Sequence, residues 1–175
     1  MRVFSLTFVA ALALAPGMVA AQPLPEGLTY DPAGMDACLA GKSGWLERAA
    51  CIGVPSAACM DTPAGSSTVG MVGCLDVERN QWDARLNAAY EGAMLRAEAA
   101  DAADREAKTP GVPARAATLR DMQRRWLDFR DAACANAGAW WHGGTGQGPA
   151  TVQCLMDQTG RQALLLDALG AEGGE

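Results

Sequence analysis

The sequence has one histidine, no Cys-x-x-Cys pair and no stretch in which polar and apolar residues alternate with a strand period. Each absence removes a class of protein. Zinc sites draw on closely spaced cysteines and histidines, which His142 and six scattered cysteines do not supply, so neither a metal nor any other cofactor is expected. Catalysis of the Ser-His-Asp or Cys-His kind would have to take His142 as its base, and Ser43, Ser56, Ser66 and Ser67 stand in no Gly-x-Ser-x-Gly turn. No catalytic residue is therefore assigned, and an enzyme is not expected. Basic residues are scarce as well, 14 against 20 acids for a net charge of −6, which argues against nucleic acid or an anionic membrane as partner.

A membrane-spanning run is also missing. The apolar segment Val3–Ala15 is shorter than the roughly 20 residues a span needs, and Pro16-Gly17 interrupts it. With Arg2 before it and Val19-Ala20-Ala21 after it, the segment reads instead as a signal peptide over 1–21, cleaved before Gln22. Of the 175 residues, removing 21 leaves 154, enough for one domain. The removed segment carries Arg2 and no acid, so 13 basic residues face 20 acids and the net charge becomes −7. No cysteine stands directly after the cleavage point, the first being Cys38, so no lipid anchor is expected and the product is placed in the periplasm or outside the cell.

What the chain does contain is an even set of cysteines: Cys38, Cys51, Cys59, Cys74, Cys134 and Cys154. In an exported chain such a set reads as a disulfide framework. Six cysteines allow 15 pairings. The best single pair is Cys134 with Cys154, because the segment between them contains a turn that folds one helix back on the next.

The helical period accounts for most of the rest, and the class is an all-α, disulfide-stapled antiparallel bundle of about four helices. After a lead-in over 22–31, Asp31-Pro32 sets an N-cap with proline at the first helical position, opening a helix to about Ala50. Gly53 and Pro55 break it, Ser56–Cys59 suits a short helical turn, and Thr62–Ser67 reads as loop. From Thr68 a long helix follows, in which Leu75, Trp82, Leu86, Ala89, Ala93, Ala97 and Ala100 make one apolar stripe. Its alanine-rich far half is expected to be a solvated end, stopped by Thr109-Pro110-Gly111. Leu119, Met122, Trp126, Phe129 and Ala133 give the next helix a seam suited to antiparallel packing. Pro149 starts a last helix, with Val152, Leu155, Thr159, Ala163, Leu166 and Leu169 inward. The helical domain thus spans 32–169, and 170–175 is a loose tail.

Two groups of residues fall outside simple packing. Asp76, Asn80, Asp83, Asn87 and Glu91 form a polar face that reads as solvated or network-forming; a glycosidase needs two acids about a sugar bond, but twenty acids supply pairs by abundance alone. Asp83, Asn87, Gln123 and Arg130 lie beside the helix seam and form an expected structural polar network, in which Arg130 pairs with Asp83 or a nearby acid, since an unpaired buried charge is costly. The second group is Trp140-Trp141-His142, followed by Gly143, Gly144 and Thr145 and running on to Gly148. Its glycines suit a helix connector or an anion cradle at the next helix N-terminus, though no Gly-Lys-Ser/Thr ending is present. Adjacent tryptophans cannot both face one side of a helix, so at least one is expected to be partly exposed. Exposed tryptophan by a turning loop is the composition of a partner-binding site.

Taken together, Cys74, Trp82-Asp83, Leu86-Asn87, Tyr90, Gln123, Trp126, Arg130-Asp131, Cys134, Cys154-Leu155, Thr159, Arg161 and Leu165 resemble the lysozyme inhibitor LprI-like N-terminal domain family, over about Cys38 to Leu169. The resemblance implies an exported helical domain that inhibits lysozyme by protein–protein binding, with no inhibitory residue carried over. Cys51–Cys59 and the loop at Gly143–Gly148 resemble a proteobacterial subset, which implies a periplasmic location. Two other functions are weighed beside it: an envelope structural or scaffold protein with a different protein partner, and a small-ligand or peptidoglycan-acting hydrolase using Asp83 or Glu91.

Overall fold

The computed structural model describes residues 26–108, 110–111 and 113–172. The signal segment, the first four residues of the lead-in (22–25) and the last residues of the tail lie outside the described residues. Six helices form and, among the described residues, no strand: α1 (Gly34–Leu39), α2 (Trp45–Ala49), α3 (Val54–Met60), α4 (Thr68–Glu106), α5 (Arg115–Ala139) and α6 (Gln147–Glu172). The all-α class stands. The helix expected from Pro32 to Ala50 is divided into α1 and α2, because Gly41 takes φ +74°, a left-handed conformation that ends α1. At its start Asp31 does not act as the N-cap; its Oδ1 accepts from Ala33 N–H in a turn, and α1 begins at Gly34. At the other end α6 runs past Gly170 to Glu172.

The long helices go up, down and up. Val72 lies against Gly148 and Trp82 against Gly160, so α4 and α6 run parallel, with α5 antiparallel to both. The α4–α6 contact is the most extensive in the fold. It buries Leu75, Trp82, Leu86 and Ala89 from α4 against Met156, Ala163, Leu164 and Leu166 from α6. Ser67 starts α4 as its N-cap, its Oγ accepting from Gly70 N–H at 3.0 Å. At about 1.5 Å per residue, the 39 residues of α4 make it the backbone of the molecule.

The short helices are tied to this core by covalent and ionic links. Cys38–Cys51 joins α1 to the segment after α2, Cys59–Cys74 joins α3 to α4, and Cys134–Cys154 joins α5 to α6. The structure thus brings together the pair singled out from the turn between them. Arg85 reaches Asp36 on α1 at 2.7 Å, and Arg48 on α2 reaches Asp167 on α6 at 2.8 Å. Tyr30 donates to Gln81 Oε1 at 2.6 Å and holds the lead-in against α4; burial, with the charges of Glu78 and Asp31 adding to it, pushes its hydroxyl well above the usual tyrosine range.

Three packing expectations need correction, the first being Leu169, expected inward but 44% exposed near the end of α6. Phe129 is exposed, because the inward track of α5 steps from Trp126 by four residues to Arg130 rather than by three to Phe129. The far half of α4 is not simply a solvated end. Asp101 is buried there and caps the next helix from outside: its Oδ1 accepts from Arg115 N–H at 2.8 Å and its Oδ2 from Ala116 N–H at 3.0 Å. Alpha helix α5 has no side-chain cap of its own.

The bonds from Ala116 and Arg115 hold the Asp101 carboxyl below its usual range. A depressed pKa contributes stability that is present above the ordinary carboxylate pKa of about 4 and is lost as pH falls through the lowered value. Asp101→Ala therefore melts at a lower temperature than the unaltered protein at pH 7, and the gap closes below about pH 4. Thermal melts of both proteins across that range check this; a gap independent of pH contradicts it.

Candidate protein-binding site

Alpha helix α5 ends at Ala139, and the chain reverses within seven residues to begin α6 at Gln147. The reversal is a nest of turns: His142 N–H donates to Ala139 O at 3.1 Å, Gly144 N–H to Trp141 O at 2.7 Å and Gln147 N–H to Gly144 O at 3.0 Å. His142 and Gly143 both take positive φ, +48° and +78°, which turns the chain back. Below the turns, Cys134–Cys154 locks the two helices together. Gly144 and Gln147 direct their N–H groups into the loop itself, which suits a helix connector.

Both tryptophans face solvent, Trp140 at 73% and Trp141 at 53% exposure, where at least one was expected to. Trp141 rests its ring on Gly146, at a place where any Cβ would collide with the indole. One face of that ring is therefore supported and held. His142, Gly143, Gly144 and Thr145 are exposed beside it. From Ala132 to Met156 the sequence carries no acid, lysine or arginine. The result is an uncharged aromatic knob on a braced turn, in a chain that is otherwise acidic. Tryptophans in such a setting bring large contact area at small entropic cost.

The expected polar network is split by the structure. Asn87 donates to Asp83 at 3.2 Å within α4 and both stay exposed. Gln123 is buried and accepts from Gln162 Nε2 at 2.9 Å, an amide pair that joins α5 to α6. Arg130 does not pair with Asp83. It bonds its neighbour Asp131 at 2.9 Å and lies over the Trp126 ring at 5.1 Å, so stacking and an adjacent acid stabilise the guanidinium in place of a cross-helix pair.

A further buried carboxylate lies elsewhere, at Glu78, which sequence reasoning missed. Glu78 is fully buried. Its Oε1 accepts from Gly53 N–H at 2.7 Å and from Trp82 Nε1 at 3.0 Å, while its Oε2 accepts from Ser56 N–H at 2.8 Å. The carboxylate thus caps the first turn of α3 from α4. A signal was present: Glu78 follows Leu75 by three residues and precedes Trp82 by four, an acid within the apolar stripe. Burial raises the pKa of nearby Asp157, with the Glu78 charge adding to the shift and Arg161 opposing it.

Among the described residues no group of three or more His, Cys, Asp and Glu is placed to hold a metal ion, and no helix is long and apolar enough to cross a membrane. No solved structure matches the chain. It is similar to an uncharacterized 17.7 kDa protein in the puhA 5′ region of Rhodobacter capsulatus, 24% identical over 131 residues, which are 75% of this chain and 81% of that one. The model of the family described as "Lysozyme inhibitor LprI" matches residues 59–166, from the end of α3 through most of α6 and including two of the three disulfides. That match takes in more than half of the sequence, and the chain belongs to the lysozyme inhibitor LprI family.

Proposed function

We propose that this chain is an exported periplasmic protein that binds and inhibits a lysozyme, with Trp140, Trp141, His142, Gly143, Gly144 and Thr145 as the contact. The observation that carries the reading is the exposed tryptophan pair on a disulfide-braced, uncharged turn, in a member of an inhibitor family. A hot spot of this kind works by burying a rigid aromatic group in a pocket of its partner. The acidic remainder acts at longer range, since a net charge of −6, or −7 once the signal peptide over 1–21 is removed, steers the protein toward a basic enzyme. Three disulfides agree with export into an oxidising compartment.

A turbidity assay of lysozyme acting on bacterial cells tests the reading. The purified protein slows lysis, and Trp140→Ala weakens the inhibition at least about 30-fold, the loss of a hot spot of 2 kcal/mol or more. Gly146→Val weakens it too, by displacing the Trp141 ring. Unchanged lysis at large molar excess over several lysozyme types sinks the proposal. Recovery of one other protein from a periplasmic extract, with no lysozyme retained, instead favours the scaffold function.

A further inference from the structure

Away from the loop, two compartments of about 280 Å³ each adjoin along the seam of α4 and α5, sharing Asp83 and Arg130 as a common wall. Their chemistry differs. The first is polar: Arg79 and Arg130 face it from two helices, and Thr159, 1% exposed, reaches it from α6. The second is mainly apolar, formed by Leu86, Tyr90, Trp126 and Leu127. We infer that this double cleft binds a carboxylate carrying an apolar substituent, such as a peptide C-terminus with an aliphatic or aromatic last residue.

The guanidiniums are placed for it. Arg130 engages Asp131 through Nε and Nη2, and Arg79 engages Asp76 and Asn80 through Nη2, so each keeps further N–H donors for a ligand. The existing partners are exposed acids, Asp76 at 38% and Asp131 at 65%, and exposed pairs of this kind hold weakly. A carboxylate in the polar compartment gains charge-assisted bonds from both arginines. Asp83, on the shared wall, suits the amide N–H that precedes a peptide's terminal carboxylate, while the last side chain enters the apolar compartment beside Trp126. Across both compartments Arg79, Arg120, Arg124 and Arg130 stand against Asp83 and Asp131, a local excess of positive charge in a chain of net −6.

Calorimetric titration of the full-length protein with acetyl-Ala-Leu tests the inference, with its C-terminal amide and isovalerate as further arms. The free acid binds saturably, and the amide binds at least about tenfold more weakly. Saturable isovalerate binding equal to that of the dipeptide also supports the cleft and assigns it to small acids; weaker isovalerate binding assigns it to peptide termini. Arg130→Ala lowers affinity at least about tenfold and Arg130→Lys restores part of it, since lysine keeps charge but not the planar fork. Thr159→Val, of nearly equal volume, keeps the helical signal and weakens binding. No heat at millimolar dipeptide, equal binding of acid and amide, or an Arg130→Ala variant that folds and binds normally overturns the inference. The titration contains no lysozyme, so its result is independent of the inhibition assay.

Discussion

Replacing Glu78 by alanine is expected to destabilise the protein by about 3 to 5 kcal/mol, the cost of breaking a buried charged network on one side. The carboxylate is fully buried and accepts three N–H bonds, from Gly53, Ser56 and Trp82. Without it, two backbone donors at the start of α3 and the indole of the central tryptophan lose their partner away from water, and each unsatisfied donor costs about 1 to 3 kcal/mol. That is a large share of a typical stability of about 5 to 15 kcal/mol. Glu78→Gln separates shape from chemistry, because it keeps the volume and one oxygen but turns an N–H group toward one of the donors. It is expected to fall between the two proteins. Urea denaturation at pH 7 measures both, and a loss below about 1 kcal/mol for the alanine variant contradicts the role given to Glu78.

Reduction of the disulfides is the other large effect. The bridges close loops with separations of 13, 15 and 20 residues. Loops of that size each stabilise by about 3 kcal/mol in the chain-entropy description, and losing a native disulfide from a small secreted domain costs about 2 to 5 kcal/mol. Three such losses together match or exceed the usual stability of a domain. Reductant is therefore expected to remove most of the helical circular dichroism signal at 37 °C. The short helices go first, since α1, α2 and α3 span 6, 5 and 7 residues and cannot persist alone. An unchanged helical signal and melting temperature under reductant contradict the framework.

The three long helices were legible because their signals repeat. Leu75, Trp82, Leu86 and Ala89 recur at helical spacing and are all buried, and a single sequence shows such a stripe without help from the fold. What escaped were interactions between elements far apart in the chain. Asp101 caps a helix that starts 14 residues later, and Glu78 caps one that lies before it, so neither has a local signature. Arg130 shows the same limit at finer scale: placing it at the seam follows from period, but choosing Asp131 and the Trp126 face over Asp83 depends on side-chain geometry. The loop was the opposite case. Two adjacent tryptophans and a glycine run announce an unusual local structure, while the ring of Trp141 over Gly146 depends on how the turn folds.

Lysozyme binding through the braced tryptophan turn is the role proposed for this family member. Size-exclusion chromatography of the protein mixed with a lysozyme at micromolar concentration tests it most directly. Lysozyme is expected to move into an earlier, shared peak, and Trp140→Ala to return it to its own position. Separate elution of every lysozyme tried, with the protein folded and its disulfides intact, contradicts it.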